Sequence, residues 1–328
     1  MVEFFKTKTH IDFMGQRHWA FIFSAIIFIV SILSIIINGL NFGLDFTGGT
    51  QIEVHYNQTA DLNAIREQLT THGFKEAIVQ AYGTSQDVLI RLAPEHHTAQ
   101  DTMSPRDASS EMNSSSKTET DQDTLKKKLA AALPNASILS VEFIGSQVGS
   151  SLITNGILAI LISLMATMLY IAIRFEYRFA ISAAVSMIHD PILILGIFSL
   201  FHLEFNLISL TAILTILGFS LNDTIVVYDR VRENFQKVRK ISPIEIMNLS
   251  INQTLSRTIM TSGLTALAVI ALLIFGGVTL FSFSLALIIG IIIGTYSSIY
   301  VAGALAIALG LNRESLFPPT NKDLDNRP

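Results

Sequence analysis

Two acidic residues lie inside long apolar segments of this chain, where ionisable side chains are expensive. Asp223 follows Asn222 near the end of one apolar run, and Asp190 follows His189 in the middle of another. A carboxylate in the hydrocarbon core of a membrane costs roughly 2.5–3.5 kcal/mol even on the most lenient insertion scale. Acidic side chains kept at such a cost are typical of proton or ion pathways. Both positions are therefore candidates for proton transfer.

The run that contains Asp223 also carries a stripe of small and polar residues. At ~100° per residue the stripe is about 60° wide, with Asp223 at its edge. Its members are Thr211, Thr215, Gly218 and Asn222. We expect this face to contact other helices rather than lipid. Asp223 would lie ~24 Å along the helix, and Arg257 begins another apolar run at a similar depth, so an ion pair between them is predicted. The alternatives are a structural hydrogen-bonding role for Asp223 and a simple flanking charge for Arg257.

His189 and Asp190 form the second candidate pair. They lie together with Pro191, and Ser182 and Ser186 share their side of the predicted helix. Two adjacent ionisable groups would be costly facing lipid, so they must point into a helix bundle or into water. Proton relay and a buried, hydrogen-bonded packing cluster both fit this pattern.

The composition agrees with a membrane protein. Half of the 328 residues are hydrophobic, 15% are charged, and the mean hydropathy is +0.50, which is too apolar for a soluble domain of this size. The net charge of −4 offers no basic face for nucleic acid. The absence of cysteine excludes disulfides and thiolate chemistry. No zinc-type or Walker motif is present, so the sequence predicts no metal, no cofactor and no enzyme.

Six apolar runs are each close to the ~20 residues that a bilayer requires. The predicted spans are residues 19–37, 152–173, 180–200, 207–228, 258–274 and 283–309. The first is longer than a signal-peptide core and lacks a cleavage pattern, so it is predicted to stay attached. Lys and Arg lie in the connections 174–178 and 229–257 but not in 201–206 or 275–279. The ends, 1–18 and 310–328, and the loop 229–257 are therefore predicted to be cytoplasmic.

Residues 38–151 would then lie on the outside of the membrane as an α+β domain between spans one and two. Alternating apolar residues predict four strands, and helical spacing predicts two helices, the first capped by Asp61. The strands are 50–56, 77–82, 88–92 and 138–144, and the helices are 61–71 and 124–133. This βαββαβ order predicts a ferredoxin-like fold. Residues 95–123 are rich in Ser, Thr and acidic residues, and predict a disordered insertion.

Several motifs are similar to those of a known family. They are Gly-Leu-Asp-Phe-Thr-Gly-Gly-Thr at 43–50, Glu-Phe-Ile-Gly-Ser-Gln-Val-Gly at 142–149, Arg-Phe-Glu-Tyr-Arg at 174–178, His-Asp at 189–190, the segment from Gly218 to Phe235, and Ser-Arg-Thr at 256–258. Through them the chain resembles, over nearly its whole length, the SecF family of auxiliary subunits of the bacterial Sec protein translocase. The motif residues predicted to be structural are Gly43, Asp45, Gly48, Gly49, Gly145 and Gly149.

The resemblance implies an inner-membrane protein related to half of a resistance-nodulation-division (RND) transporter, with SecD as the other half. With SecD, such a protein would use the proton-motive force to draw a polypeptide out of the SecYEG channel after SecA has pushed it. YajC and YidC are further candidate partners. Asp223 and Arg257 match the family's intramembrane acid and its partner, and a second carboxylate is expected from SecD. Asn222, Asp190 and His189 complete the predicted proton relay.

Two other functions remain open at this point. A proton-driven exporter of small molecules would share the intramembrane acid, but would need a larger external part with a substrate cleft. A purely structural subunit of the translocase would tolerate neutral residues at Asp223 and Arg257. The insertion 95–123 departs from the shorter connection usual in the SecF family, so the sequence assigns it no partner surface.

Overall fold

The computed structural model describes residues 9–74, 77–92, 127–134, 136–144, 146–238 and 241–316. The predicted insertion 95–123 and Gly145 lie outside these ranges. The chain divides into two compact units, one formed by Met1–Asn41 with Gly156–Pro328 and the other by Phe42–Asn155.

Helices and strands are numbered in chain order. The helices are α1 (Arg17–Asn38), α2 (Leu44–Thr47), α3 (Leu62–Thr71), α4 (127–132), α5 (Ser146–Arg174), α6 (Tyr177–Leu200), α7 (Leu207–Lys237), α8 (Pro243–Phe275), α9 (Gly277–Ser297), α10 (Gly303–Ala308) and α11 (Arg313–Leu316). The strands are β1 (Asn41–Phe42), β2 (Gly49–Tyr56), β3 (Ile78–Tyr82), β4 (Thr84–Leu92), β5 (Ala136–Ile144) and β6 (Glu204–Phe205). A π-helical turn, Ser298–Ala302, joins α9 to α10.

Six helical segments of the described residues are long and apolar enough to cross a membrane. They are Met14–Asn38, Gly149–Arg174, Tyr177–Leu200, Leu207–Lys237, Pro243–Phe275 and Thr279–Ala308. The prediction of a multi-pass helical membrane protein with six spans is therefore confirmed. The sixth segment is not one regular helix, because the π turn interrupts it.

The connection between spans four and five is more helical than the sequence analysis expected. Residues 229–257 were assigned to a loop, but α7 continues to Lys237 and α8 begins at Pro243. Glu233 accepts hydrogen bonds from Arg230 and Lys237, three and four residues away, which supports the end of α7. Ser242 and Glu245 form a capping box at the start of α8. Local helix signals therefore extend both helices.

The centre of the helical unit is α7, which packs against α6, α8 and α9. Gly290 and Gly294 allow close approach there: a Cβ atom on Gly290 would lie 2.4 Å from Ile216 Cγ1, and one on Gly294 would lie 3.0 Å from Ser220 Cβ. The two glycines lie four residues apart on one helix face, the small-xxx-small pattern that permits close packing of membrane helices.

Short polar bridges hold the segment before α1 against α8. Asn252 donates a hydrogen bond to the carbonyl oxygen of Ile11 at 2.8 Å and accepts one from its amide at 2.9 Å. Asn248 accepts from the amide of Met14 at 2.8 Å. The side chain of Met14 is fully buried. These side chains satisfy backbone groups that lie outside regular structure.

The smaller unit is built around a four-stranded antiparallel sheet with the strand order β3-β4-β2-β5. Apolar residues from one face of the sheet and from α3 and α4 form a single core; those with at most 3% exposure include Ile52, Val54, Ile65, Leu69, Val88, Ile90 and Leu129. Asp61 caps α3 by accepting from two backbone amides. The strands and helices predicted from periodicity occur in the predicted order within the described residues.

Candidate functional site: two buried carboxylates in the helical unit

Asp223 lies where α7, α8 and α9 meet, and only 3% of its surface is exposed. Ser262 on α8 donates a long hydrogen bond of 3.5 Å to Asp223 Oδ2. Ser262 also shares a hydrogen bond of 3.0 Å with Thr295 on α9. In the described part of the chain, no other side chain donates to this carboxylate. Asp223 is therefore a buried acid with unusually little stabilisation of its charge.

Arg257 does not form the predicted ion pair with Asp223 within the described residues. Its side chain is exposed on α8, and it attracts the Asp223 carboxylate only through space. The two residues were matched by their depth along their helices, which says nothing about the direction in which each side chain points. Arg257 precedes Ser262 by five residues on α8, and it is Ser262 that contacts the Asp223 carboxylate. A modest rotation or shift of α8 would change this attraction.

The polar stripe on α7, predicted to contact other helices, has no helix of this chain against it among the described residues, so that contact stays a prediction. Thr211, Thr215, Gly218 and Asn222 are all exposed. Each threonine hydroxyl bonds to a backbone carbonyl four residues earlier, at 3.0 and 2.9 Å. Asp223 is only one residue beyond Asn222, but the ~100° turn between them directs it into the bundle. The stripe thus forms an uncovered face beside the buried acid.

Asp190 has a richer environment than Asp223. It is completely buried on α6 and accepts hydrogen bonds from Ser220 at 2.6 Å and from Ser297 at 2.8 Å. His189 Nδ1 lies 3.0 Å from the other carboxylate oxygen. His189 is 6% exposed, and its Nε2 lies 2.7 Å from Ser24 Oγ on α1. The pair therefore points into the bundle, as its cost in lipid required.

The sequence analysis missed the seam between α1 and α6. The three buried residues of α1 are all serines, and each faces α6 with the same offset of 165 positions. Ser24 contacts His189, Ser31 lies beside Gly196 and Ser34 donates a 3.0 Å hydrogen bond to Ser199. The 7- and 3-residue spacing of these serines within an apolar run is a helix-face signal that was available from the sequence.

The motif glycines differ in what they require. Gly48 and Gly49 have φ angles of 69° and 124°, which other residues adopt at a cost, and a Cβ on Gly49 would lie 2.4 Å from the Leu92 carbonyl oxygen. Gly149 allows the Phe46 carbonyl oxygen to come within 2.6 Å of its missing Cβ. Gly43 has an ordinary φ of −71° and starts the short helix that contains Asp45. Gly145 lies outside the described residues.

Metal chemistry finds no support in the described residues, since no group of three or more His, Asp or Glu side chains is arranged around a common point. The helical unit instead holds two buried carboxylates. Asp190 on α6 has three hydrogen-bond partners, one of them Ser220 of α7, whereas Asp223 on α7 has one.

Matches to known proteins extend over nearly the whole chain. Residues 124–312 match the family described as "Protein export membrane protein SecD/SecF, C-terminal", and residues 33–60 match the SecD/SecF GG motif. The chain belongs to the SecD/SecF family. It is 43% identical to the protein translocase subunit SecF of Pseudomonas aeruginosa and 44% identical to that of Vibrio alginolyticus. These alignments cover 97% of this chain in each case, and 98% and 96% of the relatives.

Solved members of the SecD/SecF family share the fold. The crystal structure of SecDF from Thermus thermophilus, described as a translocon-associated membrane protein, superposes with a TM-score of 0.78 at 34% identity. A second SecDF structure, in the super-membrane-facing form, gives a TM-score of 0.66. Each match covers 93% of this chain but only 39% of the SecDF chain. This chain therefore corresponds to part of the SecDF polypeptide.

Proposed function

We propose that this chain is an auxiliary, non-enzymatic subunit of the Sec protein translocase, which acts with a SecD-type partner to drive export by the proton-motive force. The observation that carries the proposal is the nearly bare carboxylate of Asp223 at the junction of α7, α8 and α9. The SecF relatives and the SecDF structures support the assignment to protein export. Asp223 would take up and release the proton.

Asp223 and Arg257 would act together although they are not in contact. The balance between the charged and protonated carboxylate depends on how close the guanidinium lies. Protonation of Asp223 would remove its attraction for Arg257 and allow α8 to shift against α7. Each proton that crosses the membrane releases about 2.3 kcal/mol per 100 mV, which is enough to bias a two-state motion. That motion would be passed to the external domain. Asn222, His189 and Asp190 are proposed as further members of the relay.

The SecD-type partner would cover the uncovered face of α7. Polar and small side chains are common at helix contacts in membranes, where they permit close packing. The exposed stripe from Thr211 to Asn222 has this character, and it lies beside Asp223. A carboxylate from the partner could then approach Asp223 across the contact. The translocating polypeptide, SecYEG and SecA, with YajC and YidC, are the other proposed partners.

We assign the smaller unit to the outer side of the bacterial inner membrane as a ferredoxin-like domain. Of the four strands in its sheet, the first along the chain, β2, lies between the third, β4, and the fourth, β5, which agrees with that fold. The chain ends are proposed to be cytoplasmic, because Arg and Lys concentrate at the α5–α6 and α7–α8 connections.

The proposal is tested by Asp223→Asn in vesicles that contain this chain, its SecD-type partner and the export channel. We expect proton-driven release of a precursor to fall by about tenfold or more, as for the loss of a proton-transfer group. Asp229→Asn is the matched control, because Asp229 lies on the same helix but is exposed and pairs with Arg174 at 3.7 Å. If Asp223→Asn kept proton flux and precursor release at the wild-type level, Asp223 would have no role in the mechanism.

The same assay separates the two alternative functions. A purely structural subunit would keep its activity in Asp223→Asn and in Arg257→Gln, provided that the complex assembles. If the chain were part of an exporter of small molecules, Asp223→Asn would abolish proton flux. Precursor release would then be the same with and without the wild-type chain. The compact external unit, whose described part holds one sheet and two packed helices, favours the polypeptide as cargo.

A further inference from the structure

The His189–Asp190 pair carries an unbalanced charge if the imidazole is neutral. Asp190 accepts hydrogen bonds from Ser220 and Ser297, and His189 Nδ1 lies against its second oxygen, which is the arrangement of an ionised carboxylate. No Lys or Arg side chain bonds to the pair in the described part of the chain. With a neutral imidazole the site would bury a net negative charge. One additional proton would make it neutral overall, which greatly lowers the cost of burial.

Nε2 of His189 is the atom that can accept this proton. Because Nδ1 faces Asp190, Nε2 is left to interact with Ser24 Oγ at 2.7 Å. A serine hydroxyl can either donate or accept. It donates to a neutral ring and accepts from a protonated one, so the contact between α1 and α6 survives in both states. When it accepts, its own hydrogen can turn to the carbonyl oxygen of Ala20, one helical turn earlier, which also accepts a 2.7 Å hydrogen bond from the Tyr296 hydroxyl.

We propose that His189 and Asp190 form a second proton-binding site of the helical unit, in which His189 Nε2 takes up the proton and Asp190 balances its charge. The proposal deepens the proton-driven function assigned above and adds a site distinct from Asp223. It differs from an acid relay, because the carboxylate stays ionised while the imidazole changes charge. Phe28 stacks on the ring at 5.8 Å between centroids and fixes its orientation.

A row of hydroxyl groups leads to this site along α6. Ser182, Ser186 and Asp190 are spaced by four residues, so they lie about 6 Å apart on one face. Ser182 shares a 2.7 Å hydrogen bond with Tyr228. Ser186 is 2% exposed, and its Oγ has no hydrogen-bond partner. The Ser186 hydroxyl is thus a buried donor and acceptor without a partner among the described residues.

Other titratable groups on the packed helices do not touch the pair. On α1, α7 and α9 the residues that face it are Ser24, Phe28, Ser220 and Ser297. Elsewhere on those helices and on the π turn, Asp223 and Tyr228 are buried, and Tyr296 and Tyr300 are half-buried. None of them is hydrogen-bonded to His189 or Asp190 within the residues described, so the charge of the site is decided by the pair itself.

Nitrogen NMR of the full-length chain in lipid nanodiscs, labelled at its eight histidines, measures the proton directly. His189→Gln identifies the His189 signals. We expect the signals of a doubly protonated ring, which carries a proton on both nitrogens. Asp190→Asn should abolish this form under the same conditions. A neutral His189 ring in the wild type, unchanged by Asp190→Asn, would overturn the proposal.

Two further variants keep the test decisive if Asp190→Asn does not fold. Ser220→Ala and Ser297→Ala each remove one donor to the carboxylate, so a larger fraction of His189 should be doubly protonated, opposite to the effect of Asp190→Asn. Ser34→Ala is the matched control, because it removes a hydrogen bond from the same α1–α6 seam without touching the pair. An equal protonated fraction of His189 in Ser220→Ala, Ser297→Ala and Ser34→Ala would also contradict the proposal.

Export assays then connect the site to function. In vesicles with the partner subunit, His189→Gln should lose the pH dependence of proton-driven release that Ser34→Ala retains. The NMR result does not depend on export. A protonated His189 together with normal export in Asp223→Asn would therefore contradict the proposed function but not the second proton-binding site.

Discussion

At the scale of single residues, the two buried aspartates differ in how their charge is stabilised. Asp190 accepts from two serines and faces an imidazole, whereas Asp223 receives one hydrogen bond of 3.5 Å. Three donors hold a carboxylate in its charged form. A carboxylate with a single long hydrogen bond is instead more sensitive to changes in the charges and donors near it. On this contrast we propose a charge-balancing role for Asp190 and a proton-exchanging role for Asp223.

A third acidic residue, Asp87 in the smaller unit, gives a prediction for pH dependence. Hydrogen bonds from Thr84 and from His55, which is 2.6 Å away on the neighbouring strand, lower the pKa of Asp87 below its usual range. The folded-state pKa lies below the unfolded one, so this contribution to stability is present above about pH 4 and is lost as the pH falls through the folded-state pKa. Thermal unfolding of the sheet, followed by infrared spectroscopy between about pH 3 and 6, should show a shallower acid loss in Asp87→Asn. Exposed Glu67→Gln serves as the control, and an equally steep loss in Asp87→Asn would contradict the prediction.

The cost of a charge in a membrane was enough to predict from the sequence that Asp223, His189 and Asp190 avoid lipid. It was not enough to predict their partners. Depth along a helix matched Arg257 to Asp223, but the direction of each side chain depends on how α7 and α8 pack. The partner turned out to be Ser262, a small residue that carries no charge signal. Ser24, which contacts His189, was missed because it lies in a run that reads as uniformly apolar.

At the scale of elements, close approach depends on a few glycines. Gly149 lies in the first turn of α5, where a Cβ atom would come within 2.6 Å of the Phe46 carbonyl oxygen. Gly263 on α8 has no atom within 4 Å of the same position. Both are helical glycines with ordinary φ angles, so intrinsic helix preference acts on them equally.

These two glycines predict opposite effects of the same substitution. Gly149→Ala should lower the free energy of unfolding by about 1–3 kcal/mol, since backbone cannot move aside cheaply. Gly263→Ala should leave it unchanged or raise it by about 0.5–1 kcal/mol, because alanine favours helix. Chemical denaturation of the full chain in detergent measures both. Equal effects of the two substitutions would mean that the contact with Phe46 is not maintained in solution.

Element boundaries follow the sequence where the signals are local. Strand periodicity and the Asp61 cap predicted the order of the small unit, and the capping box of Ser242 and Glu245 is a local signal for the start of α8. The π turn Ser298–Ala302 has no comparable signal in the sequence. It lies where the Tyr228 hydroxyl donates to the Ala302 carbonyl oxygen at 3.2 Å, a contact that tertiary packing determines.

At the scale of the whole molecule, one face of α7 is left uncovered. The stripe from Thr211 to Asn222 is polar and small, yet it is exposed beside a buried acid. The periodicity of the sequence identified this face but could not tell whether the same chain or another one covers it. The matches to the SecDF structures cover only 39% of those chains, and we propose that a separate SecD-type polypeptide supplies the cover.

The position of that second polypeptide is open to a direct test. A photo-reactive amino acid at Thr215 should cross-link efficiently to the SecD-type partner in intact membranes, because the stripe would lie against its helices. The same group at Ile29, which is 56% exposed on the apolar face of α1, should give little or no adduct, since that face is suited to lipid. Mass determination of the adducts identifies the chain that is joined. Adducts with the partner at Ile29 and none at Thr215 would move the contact away from α7 and leave Asp223 without a route to a second carboxylate.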